Sequence, residues 1–408
     1  MQRRQFLYLS GLLAQTAHAW NSAGSQGIPT WNSEGKKSTP TSEDQDSAKR
    51  YLARLIPTRK EVDNWLAGRA FPFSKYDSEL GYLHRNRRFK EGMEGTICTY
   101  TYDPSDARHT IMHADRVCRI NTYGNSFTSC EQVNDGETWQ EVLAAHLGEP
   151  IRNYGIGAYS VYQAYLRMKR EEKRNPAPYI IFNIFSDDHF RSLLSYQAIG
   201  FGKFWVHIFP PLPHVVVNLA TDQVVEMKNP CPTPESLYNL CDLDWVYKTF
   251  KDDFTLKVRL ARQTEKLPNA GDVTADPLFR RAAILGSTRI VDKVEEFAAA
   301  NNKKVLYVLS YPPHYVEGVL LGGKRFDQSF VDFLEARRLP YVDLLEAHAA
   351  DYAKFKSGIK DYLSRYYVGH YNPQGNVFCA FALRNKLVSM LDPKPAPYSG
   401  PYQSATSP

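Results

Sequence analysis

Two residues of this chain have the chemistry of an activated alcohol and of the base that would take its proton. Ser126 follows a short β-rich run at 117–123 and Gly124, and it precedes a helical stretch. A serine in such a strand-to-helix turn keeps its hydroxyl exposed, and the N–H groups of the turn can face a developing oxyanion. The surrounding GNSFT is not a G-x-S-x-G elbow, which would need glycine where Thr128 stands. His370 lies in RYYVGHYNPQGN, between Gly369 and the turn signal Asn372-Pro373. Imidazole is the side chain whose ordinary pKa suits proton transfer near neutrality. Taken alone, Ser126 reads better as a plain turn serine, and His370 reads equally well as a loop histidine bonded to backbone. The run Ser186-Asp187-Asp188-His189 with Arg191 reads as a salt-bridged strand end as readily as part of a site. Neighbouring side chains on an extended segment point opposite ways, which argues against a metal shared by Asp187, Asp188 and His189.

The elements that must position these residues alternate regularly from residue 117. Apolar spacing predicts helices at 138–147, 161–173, 279–300 and 326–337, and a last one at about 374–391. Strands are expected at 117–123, 151–154, 305–310 and 341–344, and at Tyr179–Phe185. The last of these, YIIFNIF, is an almost unbroken apolar run, as a central parallel strand covered on both faces requires. The alternation predicts a flavodoxin-like three-layer α/β/α sandwich around a central parallel sheet. Ligands of such sheets sit at the carboxyl ends of the strands, where Asn125, Ser126, the segment 153–158, Asp187, Asp188 and Asp343 all fall. An N-terminal extension is expected at 48–115, with a helix near 61–68 and short strands within 97–102. Residues 204–228 read as a β excursion and 229–276 as a helical and loop insert. The Pro/Ser-rich residues 393–408 read as a mobile tail.

Four short blocks occur in order: GNSFT after the first strand, NYGIGAYSVYQ after the second, SDDHFR after the third, and GHYNPQGN before the last helix. The set resembles the SGNH/GDSL hydrolase superfamily, and within it the exported bacterial branch with a GDSFT-type nucleophile block. The resemblance covers residues 116–392, with an insert at about 200–280. It implies that Ser126 is the nucleophile, with its own N–H as one oxyanion donor, and that His370 is the general base and later the general acid. The second-block donor is a glycine five residues after the Asn, which here is Ala158. Its N–H survives if the backbone tolerates a Cβ, while Gly155 and Gly157 keep the turn compliant. The third block offers an Asn amide in the family, and Asp187 or Asp188 stands there. An ionised carboxylate would repel an oxyanion, so it must be protonated, turned away or otherwise employed. The orienting acid usually lies three residues before the histidine, at Tyr367 here, which leaves Asp343 or Asp361 to substitute in space.

The resemblance thus implies Ser126, His370 and Asp343 as catalytic residues and Ser126, Ala158 and Asp187 at the oxyanion. It leaves Asn125, Gly155, Gly157 and Asp188 as substrate contacts. No cofactor or metal is implied. The activity implied is a serine ester hydrolase that removes acyl groups, acetyl among them, from a glycan or a small ester. Two alternatives stand beside it. One is a polysaccharide O-acetyltransferase, with a sugar hydroxyl as acceptor. The other is a non-catalytic glycan-binding or scaffold protein on a degenerate site, which the changes at Ala158, Asp187 and Tyr367 favour.

Composition bounds the rest. The chain has 408 residues, 43% hydrophobic and 23% charged, enough for a sizeable core and too balanced for a disordered or fibrous protein. The net charge of +6 comes with no clustered basic tract, so a nucleic-acid partner has no footprint. The 26 tyrosines suit sugar-facing clefts and cores alike. Arg3-Arg4, an apolar run at 6–13 and Ala17-His18-Ala19 predict an export signal at 1–19, twin-arginine-like but with Gln2 before the arginines. The run falls short of the ~20 residues that span a bilayer, so no stable membrane insertion is expected once the signal is removed. A flexible linker is expected at 20–47, and a periplasmic or extracellular location follows. Of six cysteines, Cys231 and Cys241 are the closest pair for a disulfide. A twin-arginine substrate folds before export, however, so free buried thiols are as consistent.

Overall fold

The computed structural model describes residues 42–201, 210–267 and 271–400. The expected signal at 1–19, most of the expected linker and the end of the tail lie outside the described residues. The chain divides into two compact units. One contains the described residues up to Leu83 together with His189–Arg289, and the other His84–Asp188 together with the residues from Ile290 on.

The second unit is built on five parallel strands: β1 (Ile120–Tyr123), β2 (Arg152–Asn153), β3 (Tyr179–Phe185), β4 (Lys304–Ser310) and β5 (Tyr341–Asp343). They lie in the order β5-β4-β3-β1-β2, helices cover both faces, and the result is an α/β/α sandwich. The register runs Ile120↔Tyr179 to Tyr123↔Phe182 between β1 and β3, and Lys304↔Tyr179 to Ser310↔Phe185 between β3 and β4. All seven residues of β3 are buried, as its apolar run requires. From β1 the chain steps outward to β2 and then returns to the other side of β1 as β3. The strand order therefore reverses between β1 and β3, and in open sheets of this kind that crevice receives ligands.

Local signals fix the helices that flank the crevice. Thr138 caps Trp139–Leu147 by accepting from the Glu141 N–H, and Gly148, at φ +71°, ends it. Ser160 and Gln163 form a capping box at the start of Val161–Arg174. Asn372 caps Pro373–Met390, with Pro373 in the first turn where its missing N–H costs nothing. This last helix packs against Trp139–Leu147, with the His146 and Phe381 rings 4.8 Å apart. An antiparallel pair, Arg87–Lys90 with Ile97–Tyr100, also belongs to this unit and sets Arg87 opposite Tyr100.

The first unit holds the helices Ser42–Ala53, Arg59–Leu66, Leu243–Phe250 and Phe254–Thr264, and the hairpin His214–Asn218 with Gln223–Met227. Leu52, Val62, Trp65, Leu237, Phe250, Leu256 and Phe279 fill its core. Within it the buried Tyr51 donates its hydroxyl to the Ile199 carbonyl at 2.9 Å.

Several expected boundaries move. The expected extension at 48–115 is not one piece, because it divides at Leu83 and its two parts join different units. The insert runs His189–Arg289 rather than 200–280. A helix begins at Ser42, inside the stretch expected as linker, and a 3-10 turn at Ala396–Tyr398 lies in the expected tail. Cys231 is a free thiol, so the expected bridge to Cys241 is not formed. The Cys231 Sγ instead donates to the Ser236 carbonyl at 3.4 Å.

Candidate active site

Ser126 stands three residues past the end of β1, at the mouth of the crevice. Gly124 makes the turn possible. Its φ is +152°, and a Cβ there would lie 2.2 Å from the Thr128 hydroxyl and 2.6 Å from the Asn183 carbonyl. Asn125 then caps the one-turn helix Ser126–Ser129, its Oδ1 accepting from the Phe127 N–H at 2.9 Å. The Asn125 amide donates to Asp188 Oδ1 at 2.8 Å, and Asp188 Oδ2 accepts from the Phe185 N–H at 3.0 Å. The turn after β1 is thus tied to the end of β3. At the other end of the helix, the buried Arg108 guanidinium donates to the carbonyls of Ser129, Cys130 and Val133 and pairs with Asp135 at 2.8 Å. A cation here satisfies the orphan carbonyls of the turn and complements its dipole.

His370 is delivered by the loop before the last helix. Tyr367 and Tyr371 form an antiparallel bridge, and the Val368 N–H donates to the His370 carbonyl at 2.9 Å. His370 Nε2 lies 2.8 Å from Ser126 Oγ, although the two residues are 244 positions apart in the chain. Its Nδ1 lies 3.1 Å from Gln132 Oε1, and the same oxygen accepts the His370 backbone N–H at 2.6 Å. A backbone N–H can only donate, so the amide atom facing the loop is the oxygen. Nδ1 must then carry the ring proton, which leaves Nε2 a lone pair for the serine hydroxyl. Ser126 is 8% exposed and the His370 side chain 26%, so both are sheltered yet reachable.

Beneath the loop, His348 Nε2 meets the hydroxyls of Tyr371 at 3.0 Å and Tyr367 at 2.9 Å, and its Nδ1 meets that of Tyr362 at 2.9 Å. Burial pushes the His348 imidazole down to about 3, so it is neutral and serves as a hydrogen-bonding post rather than a base. Beside the reacting pair stands Glu131. One carboxylate oxygen lies 3.2 Å from Arg87 and the other 4.0 Å from His370 Nε2. Burial would push this carboxyl up, but the Arg87 guanidinium, with a smaller contribution from His370, outweighs it and holds Glu131 down to about 2.

The segment 153–158 lies along the helix Ser126–Ser129. The Ile156 N–H donates to the Gly124 carbonyl at 3.1 Å. A Cβ on Gly155 would fall 2.2 Å from the Ser129 nitrogen, and one on Gly157 2.2 Å from Glu131 Oε1. Gly155 thus permits close backbone approach, and Gly157 leaves room for the Glu131 carboxylate. Ala158 takes φ +60°, the left-handed region that a glycine would enter freely. Among the described residues neither its N–H nor that of Ser126 has a hydrogen-bond acceptor.

Other expectations are corrected. Asp343 does not orient His370, because its Oδ2 accepts from Arg325 at 2.6 Å and its Oδ1 from the Leu345 N–H at 2.9 Å. Asp361 is exposed in the first turn of Ile359–Tyr366. The Asn125 and Asp188 side chains are engaged with each other and with backbone N–H groups. Asp187 lies half-buried past the end of β3, close enough to His314 to act on it electrostatically. Gln132, Glu131, Arg87 and Arg108 were not singled out in the sequence. The only signal for the first two was their place a few residues after Ser126. Among the described residues no group of three or more His, Cys, Asp and Glu is arranged to hold a metal, and no helix is long and apolar enough to cross a membrane.

No protein-family model and no curated protein matches the chain. Among solved structures it is similar to an acetyl xylan esterase, at 12% identity and a TM-score of 0.34, over 66% of this chain and 99% of that one. It is also similar to a GDSL-like lipase from Bacteroides thetaiotaomicron, at 11% identity and a TM-score of 0.31, over 68% and 90%. A third is the psychrotrophic esterase EstA from Pseudoalteromonas sp., at 10% identity and a TM-score of 0.32, over 67% and 97%. Similarity at this level leaves the chemistry of the site to its own geometry.

Proposed function

We propose that the protein is an exported SGNH-type serine ester hydrolase that removes acyl groups, acetyl among them, from a glycan or small ester. The observation that carries the reading is the 2.8 Å contact between Ser126 Oγ and His370 Nε2, with Nδ1 turned to Gln132. In the proposed reaction Ser126 Oγ attacks the ester carbonyl carbon as its proton passes to Nε2. The N–H groups of Ser126 and Ala158 receive the oxyanion. The imidazolium returns its proton to the departing alcohol, and water, deprotonated by the same ring, releases the acid from Ser126. Asp187, the third residue assigned to the oxyanion, would join it only in its protonated form.

A serine and histidine at hydrogen-bonding distance, with the base tautomer fixed, count against a merely degenerate binding site. Export rests on the N-terminal pattern at 1–19. Hydrolysis of an aryl acetate, with organophosphonate labelling read by peptide mass spectrometry, tests the reading. Wild type should turn over and carry the label on Ser126, and Ser126→Ala should lose activity by about a thousandfold or more. Undiminished turnover in Ser126→Ala would refute it.

A further inference from the structure

We infer that Glu131 supplies the negative charge that stabilises protonated His370, so that alignment and charge balance, usually combined in one triad carboxylate, are divided between Gln132 and Glu131. The inference deepens the proposed esterase reading and rests on it. A triad carboxylate both fixes the histidine tautomer and stabilises the imidazolium that forms. Gln132 does the first, since its oxygen takes the Nδ1 proton and the backbone N–H together. Being neutral, it contributes little to the second. Asp343, the carboxylate expected there, is spent on Arg325.

Glu131 is built to fill the gap. Its N–H donates to the Ser126 carbonyl at 3.1 Å, which fixes its backbone to the nucleophile turn. Its Oε1 is paired with Arg87, and its Oε2 reaches 4.0 Å from the ring nitrogen that takes the serine proton. The absence of a Cβ at Gly157 leaves room for that carboxylate. The other charged and titratable groups acting on this carboxylate and its partner Arg87 are His84, Glu91, Tyr100 and Tyr102, with Arg108 and Arg167 nearby. Of these, His84 is kept neutral by burial, aided by the Arg87 cation. As the Ser126 Oγ–H bond breaks and Nε2 gains the proton, the new cation therefore forms against a carboxylate already ionised. No other reactant is needed, and the proton leaves with the alcohol.

An opposite charge at this distance raises an imidazole midpoint by about 1 pH unit or more. Glu131→Gln should therefore move the acid limb of the pH–rate profile about 1 unit lower. The plateau rate should fall about tenfold, since the same interaction is lost in the transition state. Glu131→Gln leaves Arg87 buried without its partner, and such a change can cost the fold. The double variant Arg87→Met/Glu131→Gln removes both charges, and since losing the more distant cation acts the other way, its limb should move in the same direction by less. Titration of the His370 imidazole by NMR in the full chain reads the charge effect without turnover. A His370 midpoint unchanged in both variants would overturn the inference, even with reduced rates, because a purely structural Glu131 changes the rate and not the midpoint. Wild type that neither turns over nor labels at Ser126, yet shows the displaced His370 midpoint, would instead overturn the esterase reading alone.

Discussion

At the scale of single residues, the site depends on which way one imidazole faces. Gln132 Oε1 accepts both the Nδ1–H and the backbone N–H of His370, and Gly369, at φ +126°, leaves no Cβ to crowd that amide. Gln132→Ala frees the ring to adopt the other tautomer, in which Nε2 carries a proton and cannot accept one. We expect kcat to fall by roughly 10- to 100-fold with KM little changed, the pattern of an interaction used in the transition state. Steady-state kinetics on an aryl acetate would measure it, and a change confined to KM would contradict the assignment. Ser126 and His370 were legible in the sequence because both sit beside strong turn signals. Gln132 and Glu131 were not, since an adjacent Glu-Gln reads as ordinary surface polarity until a distant loop is folded over it.

At the scale of elements, close approach of the 153–158 segment to the nucleophile turn is what glycine provides. Gly155→Ala would drive a Cβ to 2.2 Å from the Ser129 nitrogen, so one of the two backbones must shift. Overpacking of this kind costs ~1–3 kcal/mol, and here it also displaces Ser126. Gly318 is the contrasting case. It lies within the helix Pro313–Leu320 with nothing within 4 Å of a Cβ, so Gly318→Ala should stabilise by ~0.5–1 kcal/mol and leave turnover unchanged. Urea titrations of the two variants, with activity measured in parallel, would separate them. The central strand Tyr179–Phe185 was readable to the residue, because burial on both faces leaves an unbroken apolar run. One edge strand is only Arg152–Asn153, shorter than its sequence pattern, and its outer side meets Arg108, whose N–H donates to the Asn153 carbonyl at 2.8 Å. The division of the N-terminal stretch at Leu83 depends on contacts far along the chain, which local pattern does not carry.

At the scale of the whole molecule, buried titratable groups set the response to acid. His348 in the fold binds a proton only near pH 3, whereas the unfolded chain binds one near pH 6.5. The stability this contributes is complete above the unfolded value and is lost as the pH falls from there toward 3, on the order of 4 kcal/mol. Glu131 acts in the same direction. Its contribution is present above its unfolded pKa of about 4.5 and is lost as the pH falls toward its folded value of about 2. Urea titrations at a series of pH values from neutrality downward should therefore show stability declining well before the general acid limit. A flat profile down to about pH 3 would contradict the neutral, buried His348.

The thiols carry a different consequence. Five of the six cysteines are buried, and burial pushes the thiols of Cys98, Cys130 and Cys231 up to about 11, 12 and 12. Thiolate, the form that oxidises and exchanges, is then scarce at neutral pH. The fold then does not depend on the redox state of these thiols, and it is the same in reducing and in oxidising surroundings.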